Sequence, residues 1–128
     1  MPSKRLAAAL LITMLATGTA HAVDATLQLD LTGQGRDFER RSVLYDCSEG
    51  EPFDVVYINA APNFLALVPI VDEPERLVFA SVVSASGVRY VAGHWVWWTQ
   101  GIDASLYDVT LGDDADPVLT CSEFIQTP

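Results

Sequence analysis

From residue 42 onward the apolar positions recur at every second residue in short runs, and each run ends at a glycine, a proline or a cluster of Asn, Asp and Ser. That spacing sends alternate side chains to opposite faces of an extended backbone, which predicts β-strands. Eight are predicted: Ser42 to Asp46, Phe53 to Asn59, Phe64 to Ile70, Leu77 to Ser84, Arg89 to Ala92, Trp95 to Thr99, Ala104 to Leu111 and Val118 to Phe124. The breaks have local causes in Gly50 and Pro52, Pro62-Asn63, Pro74, Ser86-Gly87, Gly93, Gly101 and Gly112-Asp113-Asp114. Stripes of helical period are missing after residue 22, and no internal repeat is visible. Eight short strands with turns between them predict an antiparallel barrel or sandwich.

The stretch before the first strand reads differently. Asp24 to Leu31 alternates like a half-buried strand, whereas Gly33, Gly35 and the charged run Arg36 to Arg41 read as a solvated arm. Residues 23–41 are therefore expected to form an N-terminal extension, with the folded domain over 42–128.

Lys4 and Arg5 precede an apolar run from Leu6 to Ala16, and Ala20-His21-Ala22 supplies small residues where signal peptidase needs them. Residues 1–22 are expected to be a signal peptide cut before Val23. The apolar run is about half of the ~20 residues that a membrane-spanning helix requires. No cysteine stands at the expected cut to carry a lipid, so the expectation is a free periplasmic protein rather than a lipoprotein.

Removing residues 1–22 leaves five arginines, no lysine and seventeen acids, a net charge of −12. A charge of that sign disfavours nucleic acid, because phosphate binding needs cations. It has a bland explanation in solubility and a sharper one in a strongly cationic partner, which a field of one sign steers and selects.

Export also decides how the two cysteines read. In an oxidising compartment Cys47 and Cys121 are expected to form a disulfide, and no other thiol competes for either. Closing a loop of that length is assigned roughly 4 kcal/mol by the chain-entropy model. For a domain this small, that is a large share of its stability.

Little in the chain supports catalysis. After the expected cut His94 is the only histidine, no nucleophile-elbow pattern is present, and His94 reads as a strand residue with a satisfied hydrogen bond. Zinc would need several His or Cys ligands, and Asp113, Asp114 and Asp116 read as a polar turn rather than an EF-hand loop. Neither a metal nor a cofactor is expected.

All three tryptophans fall in the stretch Ser84 to Gly101. Trp95 and Trp97 alternate and should share a face with Trp98 on the other, so one face is expected to be core and the other wet. Ser86-Gly87 reads as the turn joining two strands, and a turn held by rigid strands is also a good place from which to present a side chain.

The combination of Tyr45-x-Cys47, Phe53-x-Val55-x-Tyr57, the block Ser84-Ala85-Ser86-Gly87-Val88-Arg89-Tyr90, the element Trp98-Thr99-x-Gly101 with Ala104 three residues on, and Cys121 resembles the MliC/PliC-type family of bacterial inhibitors of c-type lysozyme. The likeness runs from Leu44 to Glu123. It implies a small eight-stranded antiparallel β-barrel with one disulfide, no enzymatic activity, and c-type lysozyme as the partner. It further implies that the serine-bearing turn enters the lysozyme cleft and hydrogen-bonds the catalytic carboxyl groups. Carried over position by position, the inhibitory residues are Ser86, Gly87, Arg89 and Tyr90 of the first block and Thr99, Gln100 and Gly101 of the second.

One position departs from the family pattern. Where lysine usually stands, in W-T-K-G, this chain has Gln100. Its amide can donate to a carboxylate but brings no charge, and a neutral contact contributes about half of a charge-assisted one. Arg89 is a candidate for the missing cation or for a supporting role. The competing reading is a barrel of the same shape that has drifted to bind a small envelope ligand or another cationic protein.

Overall fold

The computed structural model describes residues 38–125, together with the isolated Gly18. The rest of the expected signal peptide, and the expected extension before Phe38, lie outside the described residues.

Eight strands follow one another: β1 (Phe38–Cys47), β2 (Phe53–Ala60), β3 (Asn63–Val68), β4 (Leu77–Val82), β5 (Val88–Ala92), β6 (Trp95–Gln100), β7 (Asp103–Asp108) and β8 (Leu119–Glu123). Each pairs antiparallel with its successor, and β8 returns to β1, so the sheet closes into an up-and-down barrel. Among the described residues no helix is long and apolar enough to cross a membrane.

Alternation along each strand sends one set of side chains inward. Tyr45, Val55, Tyr57, Ala66, Val68, Phe79, Tyr90, Trp97, Ala104, Leu106 and Cys121 are all buried in one cluster. Trp97 fills its centre, fully buried, with the Tyr45 ring edge-on at 5.2 Å and Phe53 at 6.2 Å. Trp95 packs beside the same cluster, whereas Trp98 lies on the outer face. The tryptophan alternation thus runs as the two-residue period predicts.

Cys47 and Cys121 are direct register partners on β1 and β8, and their disulfide lies on the seam where the sheet closes. Their sequence separation of 74 takes in almost the whole barrel.

Strand ends depart from expectation by two or more residues in four places, one of them β3, which stops at Val68 short of the expected Ile70. The strand expected from Ser42 begins at Phe38, so four residues of the segment read as a solvated arm are strand; Phe38 to Tyr45 pair along β2 from Ala60 to Phe53. Backbone pairing needs no apolar side chain, so Glu39 and the arginines sit on an exposed strand. Ser84 lies beyond β4, in the loop that ends at Gly87. The strand expected to run to Leu111 stops at Asp108, whose carboxylate accepts from the Thr110 N–H at 2.9 Å and caps a single 3-10 turn, Val109–Leu111.

In a meander of this kind alternate turns fall at opposite ends. The connections after β2, β4 and β6 share one pole, hereafter the upper pole, with the start of β1 and the end of β8. The connections after β1, β3, β5 and β7 form the lower pole.

Candidate functional site

At the upper pole the loop 83–87 and the two-residue turn Gly101-Ile102 lie side by side because β5 and β6 are neighbours. Val88 faces Thr99 and Arg89 faces Trp98 across the ladder. Residues far apart in the two sequence blocks are thereby joined in one surface.

Ser86 stands exposed on that surface, with its backbone held from two sides. Its carbonyl accepts from the Ser84 hydroxyl at 2.6 Å and from the Trp98 indole N–H at 2.9 Å. Gly87 follows with φ +60, a conformation that side chains with a Cβ adopt at a cost. An added Cβ there would also overlap the Thr99 carbonyl oxygen and sit 2.7 Å from Gln100 Cγ and 3.1 Å from Trp98 Nε1. The bend is therefore pressed against β6 so closely that only glycine fits.

The Ser86 hydroxyl itself is little engaged. Its oxygen receives the Gln100 amide at 3.5 Å, the outer limit of a hydrogen bond, and its hydrogen is left to donate elsewhere. The Thr99 hydroxyl turns back to the Val88 carbonyl at 3.3 Å. Ser86, Gly87, Thr99, Gln100 and Gly101 thus meet at one place.

The other two residues assigned from sequence lie apart. Tyr90 is buried in the barrel interior, its ring 5.7 Å from that of Tyr57, and burial pushes its hydroxyl up to about 12. Arg89 runs over the outer wall with its guanidinium 5.2 Å above the Trp98 ring, in a shallow cavity shared with Tyr107, Asp108 and Asp113. Its Nε is buried without a hydrogen-bond partner. Arg89 therefore backs the indole that holds Ser86, and its charge points away from the bend.

Sequence reasoning passed over Trp98 as a site residue, although its odd place in the tryptophan alternation put it on the outer face. It also passed over the barrel mouth beside the bend. There Arg41, Asn59, Ser81 and Glu123 surround an open cavity of about 450 Å³ that Gly87 and Thr99 also line. Beneath them the Trp97 N–H donates to the Tyr57 hydroxyl at 2.9 Å, and the Tyr57 and Tyr45 hydroxyls share a bond of 2.7 Å. Burial is the main cause that raises both phenols above their ordinary value. No sequence spacing signals this mouth, because it assembles from strands on opposite sides of the barrel.

His94 is a correction to the sequence reading. It lies in the β5–β6 turn at the lower pole, exposed rather than in a strand, with its ring 4.6 Å from that of Trp95. Among the described residues His94 is the single imidazole, and it lies at the pole opposite Ser86.

Comparison with known proteins gives a consistent picture. A family described as MliC, membrane-bound lysozyme-inhibitor of c-type lysozyme, matches residues 45–114. A Pseudomonas aeruginosa protein named membrane-bound lysozyme inhibitor of C-type lysozyme is 39% identical over 121 residues, covering 92% of this chain and 94% of its own length. A Cupriavidus necator protein of the same name is 38% identical over 117 residues, covering 88% of this chain and 86% of its own. The crystal structure of Pseudomonas aeruginosa MliC in complex with hen egg white lysozyme superimposes with a TM-score of 0.58 at 37% identity, over 82% of this chain and 98% of that one.

Proposed function

The chain belongs to the MliC family of c-type lysozyme inhibitors, and from that premise we propose that it blocks c-type lysozyme by inserting the Ser86 bend into the active-site cleft. The observation that carries the reading is the bend itself: an exposed hydroxyl with a free hydrogen, on a backbone fixed by Trp98, Ser84 and Gly87.

The chemistry fits that target. A lysozyme cleft holds one carboxylic acid kept protonated by an apolar pocket and one ionised carboxylate. A hydroxyl both donates and accepts, so a single serine can satisfy the two together. Substrate is then excluded without any covalent step. Because the bend is already ordered, little conformational freedom is lost on binding. Gln100 adds a neutral donor at the edge of the bend, and Arg89 acts through Trp98 rather than by contact.

The relatives are named membrane-bound, which puts this chain in the cell envelope. Within the envelope we assign it to the periplasm, freed from the signal peptide over 1–22 and without a lipid. Cys47 and Cys121 are joined in the disulfide, a pairing that export to an oxidising compartment favours. Recovery in the osmotic-shock fraction is the expected outcome, and recovery only with membranes would reverse that assignment.

The function is tested by titrating the protein against hen egg white lysozyme in a cell-wall lysis assay. Inhibition should be stoichiometric, and Ser86→Ala should weaken it at least tenfold with thermal stability unchanged, since the side chain is exposed. Lysis that proceeds undisturbed at micromolar excess would overturn the reading. Full potency in Ser86→Ala would move the site.

A further inference from the structure

A protein seated on the Ser86 bend also covers the mouth of the barrel, because Gly87 forms part of the mouth's wall. What the mouth offers is mostly hydrogen-bond donors. Arg41 lies with its guanidinium 5.7 Å over the Tyr57 ring and, among the described residues, forms no ion pair with a carboxylate. Below it, the Trp97 N–H and the hydroxyls of Tyr45 and Tyr57 carry three hydrogens but make only two bonds among themselves. Whichever tyrosine donates to the other, one phenolic hydrogen is left facing the cavity. Asn59 and Ser81 add an amide and a hydroxyl at the rim.

Buried and half-buried donors call for an acceptor. We propose that the mouth is a second contact for the target and receives a carboxylate side chain of it, with Arg41 as the cation. This rests on the reading of the Ser86 bend as the target-facing element. A basic side chain fits worse. It would meet Arg41 on the Tyr57 face, the aromatic surface best placed to receive it, and would leave the surplus phenolic hydrogen unmatched. Among the described residues Glu123 is the single acid that lines the mouth, so the sign of the occupant can be read by experiment.

Calorimetric titration of hen egg white lysozyme with the parent protein, Arg41→Gln, Arg41→Lys, Glu123→Gln and Ser86→Ala decides the matter. Arg41→Gln should weaken binding about tenfold, as loss of a charge-assisted pair does, and Arg41→Lys should recover part of that loss. Glu123→Gln should bind as tightly as the parent or more tightly. Circular dichroism on each variant guards against loss of fold, which Arg41 and Glu123 at the rim are placed to spare. The proposal is overturned if Arg41→Gln binds like the parent, or if Glu123→Gln is the variant that loses affinity, which would give the mouth to a cation. A parent that fails to bind at all would sink the functional reading together with this one. Sensitivity to Ser86→Ala alongside indifference to Arg41→Gln would sink the mouth alone.

Discussion

Gly87 answers two demands at once, a left-handed backbone that a Cβ makes costly and a contact with the Thr99 carbonyl that leaves a Cβ no room. Gly87→Ala should therefore lower stability by about 1–2 kcal/mol from backbone strain. Because the overlap is relieved only by lifting the bend off β6, lysozyme inhibition should fall further than stability does. Urea unfolding beside the lysis assay separates the two effects. Inside the barrel the ranking of two phenols is expected to be uneven. Tyr57→Phe strands the buried Trp97 N–H and should cost about 1–3 kcal/mol, whereas Tyr45→Phe removes one bond of a hydroxyl pair and should cost about 1 kcal/mol. Denaturant midpoints of the two variants give the order.

At the level of strands, most of the architecture was legible because each break carries its own cause. Gly93 and Gly101 take up positive φ in two-residue turns, and the alternation across Trp95, Trp97 and Trp98 holds to the residue. Less legible were ends set by a partner. Phe38 to Arg41 are strand only because β2 continues beside them, and Asp108 ends β7 through a carboxylate that caps the next turn. The site divided in the same way. That Ser86, Gly87 and Gln100 lie together could be read from local blocks, but the places of Arg89 and Tyr90 depended on which face of β5 each occupies, and Arg41 was read as part of a solvated arm. Cys47 and Cys121 were paired by compartment, and the structure adds that they lock the first strand to the last. Replacing both by serine should cost up to about 4 kcal/mol in urea unfolding. Since the bend joins β4 to β5, the strands farthest round the barrel from that seam, the folded variant should keep its affinity for lysozyme.

For the whole molecule, two dependences on solution conditions follow. A strongly acidic inhibitor meeting a cationic enzyme should associate more slowly as salt rises, with a much smaller change in the dissociation rate. Stopped-flow mixing at several ionic strengths checks this. The second concerns alkali. Burial raises Tyr45, Tyr57 and Tyr90 above the ordinary phenol value of about 10 in the folded state, Tyr90 to about 12. Above pH 10 the unfolded chain releases phenolic protons that the folded one keeps, so it binds fewer protons and stability falls as pH rises. Unfolding free energy should be level below about pH 9 with respect to these groups and drop beyond pH 10, with tyrosinate absorbance appearing on unfolding.

The polarity of the barrel has a practical side. Phe38, where β1 begins, and Ile125, just past β8, both lie at the pole that carries the Ser86 bend. A tether or fusion attached next to either residue leaves from the face proposed to dock. With the proposed cut before Val23, the fifteen positions from Val23 to Asp37 give at most about 50 Å of contour, against about 30 Å for the width of a small domain. A shorter linker would crowd the enzyme out, so immobilisation for a biosensor belongs at the opposite cap, through the loop that carries Asp114 or the one that carries Glu49.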